Sequence, residues 1–287
     1  MNSPAVDHQQ HPPEKNSGGL PHEKRVTTAL MLAAGKGTRL RPVTGEIPKC
    51  LVDVDGKPLL ARTIDALEAH GFNRLIIVTG YRCGLIGDFL ERLDTTLEIQ
   101  TVYNEQYDTT NNIHSLWLAA ELIDEPFLLV ESDLVFESGA LAEMIYPDRI
   151  ALSRYEPEIH HGTTARITSC GHLKALFLND STPNCSDTFK TVNMYSFALD
   201  SWKSLRSALQ THIDSENTDS FYELAIRDLL ESGAIRLKVA DLSALWWDEI
   251  DSGDDLMRVR RHLAQAEPQT PSWAPAKTAS ALHDHAS

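Results

Sequence analysis

The sequence predicts an α/β domain built on a doubly wound, mixed but mostly parallel sheet flanked by helices, with a small β-rich lobe in its second half. Three observations predict it. Apolar runs of strand length at 27–33, 74–78, 98–103 and 127–130 alternate with segments of helical period, as successive βα units require. A glycine-containing turn, Ala34-Gly35-Lys36-Gly37, follows the first apolar run directly. From about Ile150 the rhythm changes to short β-like pieces at 163–168, 173–178 and 189–197.

The four early runs are each bounded by polar residues or glycine, as strands of a mostly parallel sheet are. A helix is predicted over 58–70, where Leu60, Ile64 and Leu67 share a face and Gly71 follows as the C-terminal cap. A second is predicted over 112–122. Helices return at 201–211 and 221–231, and a last one at about 253–265. No internal repeat is evident. Residues 1–24 are rich in His, Gln, Pro, Ser and Gly, and 267–287 lack apolar periodicity, so a domain over 25–266 is expected between two disordered tails. His8, His11 and His22 read as scattered tail histidines rather than as a metal site.

With 287 residues, 42% of them hydrophobic, the chain is long enough for one large domain or a core with a smaller lobe. Its net charge of −15 argues against nucleic acid as a partner, because backbone phosphates need clustered Lys and Arg. A small anion remains compatible, since a few placed cations and a metal can hold phosphates in an acidic protein. Cys50, Cys83, Cys170 and Cys185 form no CxxC pair and read as free thiols. No run approaches the roughly 18 apolar residues of a membrane span, and no secretory h-region is present, so no membrane association and a cytoplasmic location are expected.

The glycine turn is the most informative segment. Leu32-Ala33-Ala34-Gly35-Lys36-Gly37-Thr38-Arg39-Leu40 lets backbone N–H groups approach an anion, while Lys36 and Arg39 supply positive charge. The small side chains of Ala33 and Ala34 leave room for a base or ribose. The segment is neither a Walker A loop nor a dinucleotide fingerprint, whose third glycine would fall at Leu40. An ordinary βα turn is the alternative for a lone GxG. Downstream, Pro48-Lys49-Cys50-Leu51 is followed by a turn sequence, Asp55-Gly56-Lys57-Pro58.

The whole run AAGKGTRLRPVTGEIPKCLVDVDGKPLL resembles the N-terminal signature of the sugar-phosphate and choline-phosphate nucleotidyltransferases, with loop, Arg, Pro and Lys in the family's order and spacing. The resemblance spans about residues 27–265 and implies a Rossmann-like fold with a small acceptor-binding lobe. It implies that Gly35, Gly37 and Thr38 wrap the NTP phosphates, Arg39 steadies the departing pyrophosphate and Lys49 contacts the α-phosphate. Transfer at an α-phosphate needs such charge neutralisation. An exposed surface lysine is the alternative for Lys49.

Phe127-Leu128-Leu129-Val130-Glu131-Ser132-Asp133 is an apolar strand ending in two carboxylates at the edge where α/β sheets bind ligands. Asp133 is the candidate Mg²⁺ ligand, and Glu131, on the same strand face, a supporting group; a solvated acidic turn is the alternative. Trp246-Trp247-Asp248-Glu249-Ile250-Asp251-Ser252 resembles the family's late E-I-D segment, which implies Asp251 as the second metal ligand, with Asp248 and Glu249 less defined. Asp251 could instead cap the last helix, although Ser252 could do so in its place.

Thr109-Thr110-Asn111-Asn112-Ile113-His114-Ser115-Leu116 resembles the branch that uses CTP with phosphocholine or 2-aminoethylphosphonate. Asn112 and Ser115, one turn apart, suit contacts to the base or acceptor, whereas Asn111 suits equally a helix cap. Lys190 and Asn193 lie in a run resembling the family's acceptor-side strand, where Lys190 would neutralise the attacking phosphonate; an edge lysine that blocks aggregation is its alternative. Tyr155, Trp246 and Trp247 are candidate walls for an amine or quaternary ammonium, or else core and rim residues. The expected function is Mg²⁺-dependent transfer of CMP from CTP to a small phosphonate such as 2-aminoethylphosphonate, ahead of phosphocholine or a sugar 1-phosphate. A homodimer is compatible with this reading. A nucleotide sensor without turnover is the competing class, disfavoured because Lys49 and Asp133 are both present.

Overall fold

The computed structural model describes residues 25–178 and 187–265. The tails expected at 1–24 and 267–287, the tail histidines and Cys185 lie outside them. Cys50, Cys83 and Cys170 are free thiols. The first half runs β1 (Thr28–Ala33), α1 (Arg41–Thr44), the short hairpin β2 (Asp53–Val54) and β3 (Lys57–Pro58), α2 (Leu59–Ala69), β4 (Arg74–Thr79), α3 (Cys83–Leu90), β5 (Glu98–Tyr103), α4 (Asn112–Leu118) and β6 (Phe127–Glu131). The second half adds β7 (Leu134–Phe136), β8 (Arg149–Arg154), β9 (Thr164–Ile167), β10 (Leu173–Phe177), β11 (Phe189–Phe197), α5 (Leu199–Asp214), α6 (Glu223–Glu231), β12 (Lys238–Asp241), β13 (Trp247–Glu249) and α7 (Gly253–Gln265).

The apolar runs become central strands because both of their faces are covered. In β1, Leu30 and Leu32 enter one core while Ala29, Met31 and Ala33 enter another, and β4 and β6 divide their residues in the same way. Alternation of side chains across a strand makes this a consequence of the pleat. Helices α4, α5 and α6 cover the first face through Ile113, Leu116, Trp202, Leu205 and Ile226. Helix α2 covers the second with Leu60, Ile64 and Leu67, the face expected from its sequence, and Gly71 behind it has φ +74°. The helix expected over 112–122 is α4 followed by a 3₁₀ turn at Ala119–Leu122.

Strands β6, β1, β4 and β5 are parallel neighbours in that order, so the direction of strand succession reverses between β1 and β6. Leu32 of β1 pairs with Glu131 of β6, which sets the glycine turn and Asp133 at the same sheet edge. Ligands bind at such a switch point in open α/β sheets. Antiparallel β11 extends the sheet beyond β6 and carries β9 and β8, so the β-rich lobe is joined to the same nine-stranded sheet. Among the described residues no helix is long and apolar enough to cross a membrane.

A third, smaller core lies behind this edge. Leu40, Val52, Val54, Leu59, Val135, Ile250, Leu256 and Val259 gather the loop after β1, the hairpin, β7 and α7. Strand β13 pairs antiparallel with β7, and Ile250 N–H donates to the Asp133 carbonyl at 3.0 Å. Helix α7 starts with a reciprocal cap. The Asp255 carboxylate accepts from the Ser252 N–H at 2.8 Å and the Asp251 N–H at 3.1 Å, while Ser252 Oγ accepts from the Asp255 N–H at 3.3 Å. Ser252 therefore caps the helix and leaves the Asp251 carboxylate free for other partners. Arg258 reaches back to Asp248 with two bonds of 2.7 Å, fixing α7 against β13.

Burial alone would raise the Asp255 carboxyl, but the bonds from Ser252 and Arg258 hold it below its ordinary value of 3.8. Its contribution to stability is therefore complete above that value and is lost as the pH falls through the depressed folded value. Asp255→Asn is expected to cost about 1 kcal/mol at pH 7, by urea unfolding, with the gap to wild type closing in strong acid. A gap that persists unchanged at the acid end would show that the charge is not responsible.

Candidate active site

The chain turns at the end of β1 in a way that opens a cavity of about 620 Å³ above the sheet edge. Ala33, Ala34, Gly35, Gly37, Thr38 and Arg39 all line it. Gly37 has φ +57°, a conformation L side chains rarely adopt, and its backbone lies against Lys49, whose Cβ is 3.5 Å from the position an added Cβ would take. Gly80, at the end of β4, lies under the loop: an added Cβ would meet the Ala34 carbonyl oxygen at 2.7 Å and Tyr107 Cβ at 2.5 Å. The shape of the turn thus depends on a missing side chain in the neighbouring strand.

Lys49 is the centre of the site rather than a surface lysine. It follows Pro48 at the start of a 3₁₀ turn, and its ammonium bonds Asp133 Oδ2 at 2.6 Å and Asp251 Oδ1 at 2.5 Å. Arg39 pairs with the other Asp251 oxygen at 2.9 Å. Burial alone would depress the Lys49 pKa, but Asp133 and then Asp251 reverse this and raise it above the ordinary lysine range. Burial likewise works against Asp251, yet Lys49 and Arg39 hold its carboxyl below the ordinary aspartate range. Lys49 and Asp251 thus each hold the other ionised.

The donor set fits a hard divalent cation. Asp133 and Asp251 offer carboxylate oxygens from opposite sides, and Asp133 Oδ1 is buried with no hydrogen-bond partner. Among the described residues no group of three or more His, Cys, Asp or Glu could hold a metal. Two carboxylates suffice for Mg²⁺, which completes its octahedron with water and substrate phosphates. Asp248 is excluded from this set by its bidentate pairing with Arg258.

On the opposite wall, Asn112 acts as a brace that also faces the cavity. Its Nδ2 donates to Glu131 Oε1 at 3.3 Å, and its Oδ1 accepts from the Tyr222 N–H at 2.9 Å. Asn111 caps α4, accepting from the Asn112 N–H at 2.8 Å. Ser115 Oγ accepts from Asn104 Nδ2 at 3.1 Å, and both residues line the cavity. Lys190 is 1% exposed and bonds the Thr191 carbonyl at 2.7 Å and Glu249 at 3.1 Å, so it is a buried cavity residue and not an edge lysine. Asn193 takes φ +54° and donates to the same Glu249 oxygen at 2.8 Å.

Four residues expected at the site, Lys36, Tyr155, Trp246 and Trp247, do not line the cavity. Lys36 turns to Asp108 at 3.8 Å and to the ring of Tyr107. Trp246 stacks on His262 of α7 with ring centres 3.9 Å apart, so its face is used in packing the C-terminal helix. Tyr155 stacks on His160, which in turn stacks on Trp247. The aromatic residues in the lining are instead Tyr107 and Phe221. Beside them stand carboxylates: Glu223 at the start of α6, which local sequence did not single out, joined by Glu249 and Glu131. Burial raises the pKa of all three, with neighbouring carboxylates adding to the effect. The only sequence signal for Glu223 is an acid in a first helical turn, which also serves the helix dipole.

The sheet order and a glycine turn facing paired carboxylates define a class of nucleotide-handling α/β domain. The chain belongs to the MobA-like NTP transferase domain family, whose signature matches residues 29–181. It is 29% identical over 236 residues to the CMP-5'-(3-aminopropyl)phosphonate synthase of Streptomyces rubellomurinus, which covers 79% of this chain and 37% of that protein. It is 36% identical over 110 residues to the choline-phosphate cytidylyltransferase of Streptococcus pneumoniae, which covers 38% of this chain and 46% of the relative. The chain thus spans about half or less of the length of these curated relatives. Among solved structures it superposes on the inositol-1-phosphate CTP transferase from T. maritima with a TM-score of 0.69 at 22% identity, covering 85% of this chain and 98% of that one. The CTP:phosphocholine cytidylyltransferase of Streptococcus pneumoniae gives 0.70 at 22% identity, covering 83% and 99%. At that identity these two share the fold.

Gly80→Ala is expected to destabilise the protein by about 1–3 kcal/mol in denaturant unfolding, because backbone and a packed ring must both move. A variant as stable as wild type would show that the loop can shift freely over β4.

Proposed function

We propose that the protein is a cytidylyltransferase that moves CMP from CTP to a small phosphonate and releases pyrophosphate. The observation that carries the reading is the Asp133–Lys49–Asp251 cluster set against the glycine turn in one cavity. The family match supports nucleotidyl transfer, and the likeness to a CMP-phosphonate synthase over 79% of the chain supports CTP and a phosphonate.

In this reading the backbone of Gly35, Gly37 and Thr38 cradles the triphosphate, with Arg39 at its leaving end. Lys49 lies where it can neutralise charge on the α-phosphate. An oxygen of the acceptor phosphonate attacks the α-phosphorus in line, the new P–O bond forms as the α–β bridge bond breaks, and pyrophosphate carries off the electron pair. The attacking oxygen is already anionic, so no general base is required. Asp133 and Asp251 would hold Mg²⁺, whose chemistry is to neutralise charge on the phosphate oxygens. Ser115, Asn112, Lys190 and Asn193 complete the walls that orient the base and acceptor. The site is preorganised, because Lys49 holds the two carboxylates together before any ligand arrives.

Pyrophosphate release is expected with Mg²⁺, CTP and 2-aminoethylphosphonate, and little with ATP, GTP or UTP. Chelation should abolish it and added Mg²⁺ restore it. Asp133→Asn and Lys49→Ala are each expected to lower kcat about 10²–10³-fold or more. Turnover that survives in Asp133→Asn would overturn the metal assignment, and release only with phosphocholine or glucose 1-phosphate would replace the acceptor. CTP binding without release for any acceptor would favour a sensor.

A further inference from the structure

We propose that Glu223 receives a primary ammonium group on the acceptor and so selects amine-bearing phosphonates; this rests on the cytidylyltransferase reading. Glu223 is 4% exposed yet lines the cavity, and it sits at the first position of α6. One of its oxygens has only a long contact, 3.5 Å, with the Thr163 hydroxyl. The other, Oε2, is buried with no hydrogen-bond partner. A buried carboxylate oxygen without a donor is costly, and a ligand N–H would remove that cost.

The charge around it points the same way. Five carboxylates, Glu131, Asp133, Glu223, Glu249 and Asp251, line the cavity against the cations Arg39, Lys49 and Lys190. Lys49 and Arg39 are engaged by Asp133 and Asp251, and Lys190 by Glu249. Among the described residues Glu223 makes no ion-pair contact, and Lys190, already bonded to Glu249, attracts it only from a distance. Its place is therefore suited to a cation brought by the ligand.

The lining also distinguishes kinds of cation. A quaternary ammonium has no N–H to donate and is held by aromatic faces. Tyr155, Trp246 and Trp247 are spent on stacking with His160 and His262 and do not line the cavity. Of the Tyr and Phe rings that do, Tyr107 already carries the Lys36 ammonium, which leaves Phe221 as a single exposed face rather than an aromatic cage. A primary ammonium instead donates up to three hydrogen bonds, which suits the Glu223 carboxylate beside the Thr163 hydroxyl.

The test compares kcat/KM, with CTP and Mg²⁺, for three acceptors that share the phosphonate: 2-aminoethylphosphonate, its N-trimethyl analogue and the uncharged isostere propylphosphonate. Wild type is expected to prefer the primary amine over each of the others by about 10–100-fold. Glu223→Gln is expected to reduce the ratio between amine and isostere about tenfold or more. Loss of both acceptors in parallel, with the ratio intact, would mean that Glu223 only supports α6 and would overturn the proposal. A preference for the trimethyl analogue would overturn it as well. Should the variant fail to fold, the wild-type ratios decide alone. Turnover of all three phosphonates without amine preference sinks this inference and leaves the cytidylyltransferase reading standing, whereas turnover confined to a sugar 1-phosphate sinks both.

Discussion

Much of the structure depends on one ammonium group held between two carboxylates. Lys49, Asp133 and Asp251 are separated by 84 and 202 positions in the chain, yet they meet within 2.6 Å contacts. Two carboxylates brought this close would repel each other in a poorly hydrated site, and Lys49 removes that repulsion. The pairing in turn requires β13 to lie on β7, α7 to be capped by Ser252 rather than Asp251, and the small core around Ile250 and Leu256 to close behind. Packing and electrostatics therefore support the same geometry. The buried pair need not add net stability for this to hold, since its effect is to specify one arrangement.

The division of labour across the cavity follows from the sheet. One wall is made by loops at the ends of β1 and β6, which the parallel register holds at one level. The other comes from β11, β13 and the start of α6, elements that arrive late in sequence and pair in mixed directions. The first wall presents the glycine turn, Arg39 and the carboxylates of Glu131 and Asp133, whereas the second presents Lys190, Asn193 and the carboxylates of Glu223 and Glu249.

The strands at 27–33, 74–78 and 127–130 were legible because a strand covered on both faces leaves a nearly continuous apolar run, whereas 98–103 is a partly exposed edge strand marked only by Ile99, Val102 and Tyr103. Lys49, Asp133 and Asp251 were legible through their order and neighbours, and Ser252 as the alternative cap was readable from its position before α7. Arg149–Arg154 carries no comparable mark: only Ile150, Ala151 and Leu152 are apolar between its terminal arginines, although it pairs with both β11 and β12. Trp246 and Tyr155 were misplaced because an aromatic side chain suits a binding wall and a packed helix equally well, and only His262 and His160 decide between them. Glu223 escaped notice for a related reason. An acid in a first helical turn has a sufficient local explanation, and its burial depends on residues 60 positions away at Thr163.

The antiparallel pairing of β13 with β7 also bears on synthesis. The parallel strands, the glycine turn, Lys49 and Asp133 are all translated well before Asp251, and domains fold as their segments emerge from the ribosome. A nascent chain therefore presents Lys49 and Asp133 as an incomplete pair until residue 251 has cleared the exit tunnel. Termination between residues 242 and 250 would leave every strand of the nine-stranded sheet and yet remove the second carboxylate, so this centre is completed only by the segment that follows β12.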